Sequence, residues 1–339
     1  MVLAGPSASA HPTRRVSSPL TARTVLSGKV HGWSSPDDLT RLGRNLYVAF
    51  QNGVPATGGA PGTPSQSTVV EFRLNGRIER TWQLTGKTDG LTADRAHRRL
   101  IATVNEDGNS SLYTIPARGG AATHFTYDAN PLPHGGGTDS ITIDHGRIYV
   151  VASAPTKTAG PALYRVTLRR GVAHLGSEPF LDASKATVAN PSGGRTTLKL
   201  TDPDSATIVP RTASRFGGTF MLDAQGDQQA VFATHLEHRN QSLRVLNLSQ
   251  SVDDTAFPTR PGGVLLAADA SADSIVAVSG PFIPGAAYSA ATPGDANNAP
   301  TNPAPNYLGV IDLRTGTVTP VPTAGVSFEP HSLIYLRHG

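Results

Sequence analysis

Aspartate recurs in this chain at one kind of place. Pro36-Asp37-Asp38-Leu39-Thr40, Thr88-Asp89-Gly90-Leu91-Thr92, Thr138-Asp139-Ser140-Ile141-Thr142 and Pro203-Asp204-Ser205-Ala206-Thr207 share one pattern: proline or threonine, aspartate, any residue, an apolar residue, threonine. Weaker copies follow at Asp254-Thr255-Ala256-Phe257 and at Pro330-His331-Ser332-Leu333-Ile334, where histidine takes the aspartate's place. Carboxylates gathered at one point raise each other's pKa, and a bound cation relieves the repulsion. Oxygen ligands in a chain without cysteine favour calcium or magnesium over zinc. The pattern therefore predicts Asp37, Asp89, Asp139, Asp204 and Asp254 as ligands of calcium or another divalent cation, with His331 as a further ligand or a general base. His134, in the glycine-rich stretch Pro133-His134-Gly135-Gly136-Gly137, is the second catalytic candidate, because such a loop can approach a ligand. Asp38, Asp202 and Asp253 stand close behind the ring, Glu106 and Asp107 lie on a connecting loop, and His31 is near the same rim.

Each candidate also has a structural reading. A repeated aspartate accepts backbone N–H bonds from its own turn or from a neighbouring strand. Strict strand alternation puts each aspartate on the face of the apolar residue two places on, the side of the core. His331 is then a capped histidine near the C-terminus and His134 an exposed loop residue. No serine elbow of the G-x-S-x-G kind, zinc-protease helix motif, phosphate-binding glycine loop or cysteine nucleophile occurs, which removes the commonest catalytic signatures.

The elements that must carry these residues are short strands. Behind the first five copies come a turn and an apolar run, such as Asn45–Phe50, Leu100–Val104, Arg147–Val151, Thr219–Leu222 and Val264–Ala267, followed by a third run such as Val69–Phe72 or Ile275–Val278. In several units a fourth strand follows, as after the hairpin turn Asn75-Gly76. A period near 50 residues built from four-stranded meanders predicts an all-β fold, a six-bladed β-propeller of antiparallel blades, with five or seven blades as alternatives. The insertions near 187–195 and 281–306 read as loops, and Tyr307–Leu313 and Thr317–Thr323 are left over. After His331 only one strand fits, so strands around Thr21–Val30 are expected to complete the last blade.

The hairpin Gly263–Val278 resembles the blade hairpin of NHL-type propellers, the neighbourhood of the gluconolactonase and strictosidine-synthase-like families. The resemblance spans roughly residues 30–338 and is architectural. Gluconolactonase-like members hold a divalent cation at the tunnel mouth with an N-terminal Glu and with Asn and Asp side chains. This sequence has Asp37 at that point and no Glu-Gly-Pro start. The chain also resembles a group of exported bacterial propellers, a likeness that supplies no chemistry.

Composition narrows the classes. Hydrophobic residues make up 38% and charged residues 16%, with 35 Gly and 27 Pro, the mixture of many strands and turns and not of a disordered or fibrous chain. A net charge of +4 without a run of basic residues and aromatics argues against nucleic acid as a partner. Residues 2–11, with Ala8-Ser9-Ala10, read as the tail of a signal peptide. Residues 1–13 are thus expected to be a leader remnant and 14–339 a single domain, secreted, without a transmembrane segment and monomeric. The functional expectation is a metal-dependent hydrolase of the lactonase or esterase kind acting on a small molecule. The alternative is a non-catalytic extracellular module that binds a saccharide, peptide or surface partner and holds only structural calcium.

Overall fold

A computed structural model describes residues 19–157, 160–179, 183–296, 300–301 and 303–337, so the expected leader remnant lies outside the described residues. The chain is all-β, and apart from strands only two short 3-10 turns, Lys29–His31 and Gln225–Asp227, are found among the described residues. Among the described residues no helix is long and apolar enough to cross a membrane.

The repeating unit is the expected antiparallel meander. Pro36–Leu42, Asn45–Phe50, Gln66–Phe72 and Ile78–Thr85 form one four-stranded sheet in sequence order. Two further meanders, from Thr88–Asp94 to Thr123–Tyr127 and from Gly137–Asp144 to Val172–Leu175, join through their outermost strands in parallel, with Val172 opposite Thr126, to give an eight-stranded sheet. A fourth meander runs from Pro203–Ile208 to Ser242–Asn247. The insertion read as a loop adds two outer strands to it, Lys185–Val188 and Arg195–Thr197.

The last two units exchange strands. Val264–Asp269 and Ser274–Ser279 were expected to follow the strand of Asp254 in its own blade. Val264–Asp269 pairs instead with the C-terminal strand Pro330–Leu336, and Ser274–Ser279 follows it in that sheet. The strand Val252–Ala256 takes as its neighbour Ala287–Ala291, inside the stretch read as a loop, and then Tyr307–Ile311 and Val318–Pro320. The leftover strands therefore complete this sheet. Ala287-Tyr288-Ser289-Ala290-Ala291 has neither β-branched residues nor alternation, so local propensity gives it no strand signature. Its five residues are buried, and packing decides.

The N-terminal strand Leu20–Ser27 pairs with Ser274–Ser279 in the sheet that contains Pro330–Leu336, so the two ends of the chain close one sheet as expected. Apolar clusters fill the space between successive meanders. Tyr47, Val69, Leu100 and Ala102 pack the first against the second, and Val48, Phe50, Leu266 and Ile275 pack the first against the sheet holding the C-terminal strand. Fully burying a Val, Leu, Ile or Phe among them contributes about 1.5–3 kcal/mol. The innermost strands pack in a cycle, Pro36–Leu42 lying beside both Thr88–Asp94 and Pro330–Leu336.

Candidate functional site

The sequence repeat is a backbone device. In every innermost strand the register with the second strand slips at the same place: Pro36 faces Phe50 but Leu39 faces Val48, and Thr88 faces Val104 but Leu91 faces Ala102. The same slip occurs at Thr138/Ile141, Pro203/Ala206, Val252/Thr255 and Pro330/Leu333. Two residues thus bulge out of each ladder, which breaks alternation and re-aims side chains. Alternation across the repeat does not apply, and the expectation that Asp37 shares the face of Leu39 fails for that reason.

The two bulge residues have different partners. The first of each pair, Asp37, Asp89, Asp139, Asp204, Asp253 and His331, lines a cavity of about 660 Å³ enclosed by the inner strands. The second borders the same cavity, Gly90 apart, and also joins neighbouring strands. Asp38 accepts the N–H groups of Leu39 and Leu91, both at 2.6 Å, and the Ser332 hydroxyl at 3.0 Å. Asp254 accepts from Thr255 N–H at 2.6 Å, Leu333 N–H at 2.7 Å and the same Ser332 hydroxyl at 3.2 Å. Ser140 accepts the N–H of Ala206 at 3.2 Å, and Ser205 donates to the carbonyl of Asp253 at 2.5 Å. At Gly90 the neighbouring strand comes so close that a Cβ would stand 2.6 Å from the Asp139 carbonyl oxygen and 2.5 Å from Thr103 Oγ1.

The register bears on Asp254, which lines the cavity together with its neighbour Asp253. Asp254 matches the joining position, and the ring member of its strand is Asp253. The doublet Asp253-Asp254 fits the repeat in two ways, and only the small or acidic second position, shared with Asp38, Gly90, Ser140, Ser205 and Ser332, selects the right one.

His331 presents Nδ1 to Asp253 Oδ2 at 3.0 Å, and its Nε2 lies 3.4 Å from Asn306 Nδ2. With Nδ1–H donating to the carboxylate, Nε2 is left as an acceptor. Next round the ring, carboxyl meets carboxyl: Asp253 is hydrogen-bonded to Asp204, and Asp204 to Asp139. Burial pushes Asp139, Asp204 and Asp253 well above the usual carboxylate range, and the neighbouring negative groups push further. Asp37 is raised to about 6, by burial against the opposing influence of Lys87 and His331.

The other side of the ring carries a built-in cation. Lys87 Nζ pairs with Asp89 Oδ1 at 3.1 Å and with Glu106, and Gln51 Nε2 donates to the same Asp89 oxygen at 3.1 Å. Burial alone would lower the Lys87 ammonium's pKa, but Asp89, Glu106 and Asp37 outweigh it and raise it. Lys87 and Gln51 escaped the sequence reading because neither belongs to the repeat.

His134 is elsewhere. It is fully buried, its Nε2–H donates to the carbonyls of Gly137 at 2.8 Å and Ser153 at 3.1 Å, and its Nδ1 accepts from Tyr164 Oη at 2.7 Å. Both nitrogens are engaged in tying its loop down, and it does not line the cavity. Neither predicted role, catalytic residue or exposed loop histidine, describes this geometry.

The five predicted aspartates do not fit a metal as a single ligand set. Asp254 is held by three donors, Asp89 carries Lys87, and among the described residues no three Asp, Glu or His side chains converge closely enough to hold an ion.

No known family profile matches the sequence, and no curated protein resembles it. Among solved structures the chain is similar to a protein of unknown function from Bacteroides caccae, at 12% identity and TM-score 0.49, covering 95% of this chain and 100% of that one. It is similar to a periplasmic gluconolactonase of Pseudomonas aeruginosa, at 12% identity and TM-score 0.49, over 89% and 88% of the two chains. A third is a putative 6-phosphogluconolactonase from Bacteroides uniformis, at 11% identity and TM-score 0.45, over 87% and 85%. The solved structures that it is similar to thus include gluconolactonase-like proteins, as the hairpin resemblance implies, at a level that says nothing of its activity.

Proposed function

We propose that the chain is a secreted, single-domain six-bladed propeller whose axial cavity hydrolyses a small lactone or ester. The observation that carries this reading is the His331–Asp253 pair, delivered by two successive bulges into a cavity lined by ionisable groups. Asp253 orients the imidazole through Nδ1. Nε2 takes a proton from a water molecule as the water oxygen bonds to the substrate carbonyl carbon, and returns it to the alkoxide oxygen as the carbon–oxygen bond of the lactone or ester breaks. Lys87 adds positive charge to the cavity wall, where negative charge developing on the carbonyl oxygen is stabilised.

The test is acid release in a pH-stat from δ-gluconolactone and from p-nitrophenyl acetate. Turnover above buffer that falls at least a hundredfold in His331→Ala is expected. No turnover of either, or turnover indifferent to His331, favours the non-catalytic binding module.

A divalent cation, calcium by preference, is a second reading, favoured by the concentration of buried carboxyl groups opposite Lys87. It requires Asp139, Asp204 and Asp253 to move together around the ion. Metal analysis of the purified protein decides it: about one equivalent per chain and turnover lost to chelator support it, and no bound metal refutes it.

A further inference from the structure

We infer that the face of the molecule away from the acidic ring binds an anionic polysaccharide. The inference goes beyond the hydrolytic reading and does not depend on it. In an antiparallel meander the turn between the first and second strands and the turn between the third and fourth lie at the same end of the sheet. That end is the one away from the bulges: Pro36 faces Phe50 beside the bulge, and Leu42 faces Asn45 at the far end. The turns there carry arginine repeatedly. Arg44, Arg95 and Arg98 lie between first and second strands, and Arg118, Arg169 and Arg170 lie at or between third and fourth strands. The fourth meander adds Arg211 and Arg239 in its two turns of the same kind. Arg98-Arg99 and Arg169-Arg170 are separate pairs in the sequence, and the fold brings them to one face.

Carboxylates at that end are already engaged. Glu79 takes Arg73 at 2.8 Å and Arg77 at 2.6 Å, Asp94 takes Arg99 at 2.9 Å, and Glu237 takes Arg147 at 2.9 Å. The turn arginines from Arg44 to Arg239 are exposed and form no ion pair among the described residues. The backbone supplies a second observation. The two-residue turn Arg170-Gly171 has φ of 51° and 77°, the type I′ geometry whose first position favours Asn, Asp or Gly, and Arg98 sits at φ 53°. Arginine is thus held at these turns against backbone preference. Guanidinium groups pair with carboxylate, sulfate and phosphate in bidentate fashion, and a set of them on separate turns fits a chain of repeated oxyanions better than one small anion. Nucleic acid is disfavoured, because among the described residues no Phe, Tyr or Trp is exposed to stack on a base and no α-helix is present to enter a groove. A lipid surface is disfavoured because the exposed large apolar residues are isolated ones, Val30, Ile283 and Val326. A polysaccharide bearing sulfate or carboxylate groups needs neither feature.

The test is calorimetric titration of the full chain with heparin and with polygalacturonate, beside single-stranded DNA and phosphatidylglycerol vesicles, at neutral pH. At least one of the two polysaccharides is expected to bind, more tightly than the DNA or the vesicles, and to weaken as salt is raised; heparin alone would assign sulfate as the recognised group, polygalacturonate alone carboxylate. The combined variant Arg44→Ser, Arg95→Ser, Arg118→Ser is expected to lose at least tenfold in affinity. Lys29→Ser, Lys157→Ser, Arg195→Ser removes the same charge from exposed positions outside these turns and is expected to change affinity less than threefold. Should the first variant fail to fold, Arg169→Ser with Arg239→Ser reads the same face from two other meanders. Binding of neither polysaccharide, an equal loss in the variant and its charge-matched control, or tighter binding of the DNA or the vesicles would overturn the inference.

Discussion

Two histidines singled out by residue type end in opposite situations. His331 keeps one nitrogen as an acceptor in the cavity, while His134 has both nitrogens engaged, by Tyr164 and by the carbonyls of Gly137 and Ser153. His134→Ala is therefore expected to lower stability by about 1–3 kcal/mol, the cost of leaving buried partners unpaired, with the kcat of whatever turnover the protein has unchanged. Thermal melts and initial rates on the same preparation check it, and a rate loss with an intact fold would return His134 to the site. Residue type and repeat position were enough to bring Asp37, Asp89, Asp139, Asp204, Asp254 and His331 to one cavity. They could not separate Asp253 from Asp254, because which of two adjacent carboxylates faces the axis depends on a register slip that becomes visible only against the second strand. Lys87 was not legible at all: its role comes from Asp89, two residues on, and from Glu106 on a loop, and no periodic signal marks it.

At the scale of the element, the repeated motif records a β-bulge. Its first residue faces the cavity and its second joins the next inner strand, through a side chain at Asp38, Ser140, Ser205, Asp254 and Ser332 and through bare backbone at Gly90. Where the second residue has no side chain, its N–H donates to Thr103 Oγ1, whose hydroxyl donates to the Asp139 carbonyl, and the strands approach closely. Gly90→Ala would put a Cβ 2.6 Å from the Asp139 carbonyl oxygen and is expected to destabilise by about 1–3 kcal/mol, the usual range for overpacking. Denaturant unfolding measures it, and a neutral result would show that the two strands can separate freely. Strand content was legible wherever β-branched residues cluster. The exchange of Val264–Asp269 and Ser274–Ser279 into the C-terminal sheet was not, because a meander read along the chain assigns each strand to the strand before it, and only the pairing with Pro330–Leu336 shows otherwise.

Taken as a whole, the molecule concentrates its acidic groups where water is least available. Burial raises Asp37 and Asp202 to about 6 and lifts Asp89, Asp139, Asp204, Asp223 and Asp253 well above their ordinary value. A carboxyl that holds its proton more tightly folded than unfolded lowers stability as pH rises from about 4 through its folded pKa. The ion-paired Asp94 and Glu237, held below the usual range, lose their contribution only as pH falls through about 4, and the buried His134, also lowered, opposes the trend between its folded pKa and about 6.5. The carboxyls outnumber it, so the melting temperature is expected to peak near pH 4 and to fall towards pH 8; a flat or rising profile over that range would show the ring to be charge-compensated in some other way. The central claim is that each bulge divides its two residues between the cavity and the joining of strands, and one paired measurement addresses it directly: melting temperature and kcat/KM for Asp253→Asn beside Asp254→Asn. Asp254→Asn is expected to lose about 1.5–3 kcal/mol, the range for hydrogen bonds to a charged group, and to keep its turnover. Asp253→Asn is expected to keep its melting temperature within a few degrees and to lose turnover at least tenfold, and the reverse assignment, or two variants that behave alike, would contradict the account.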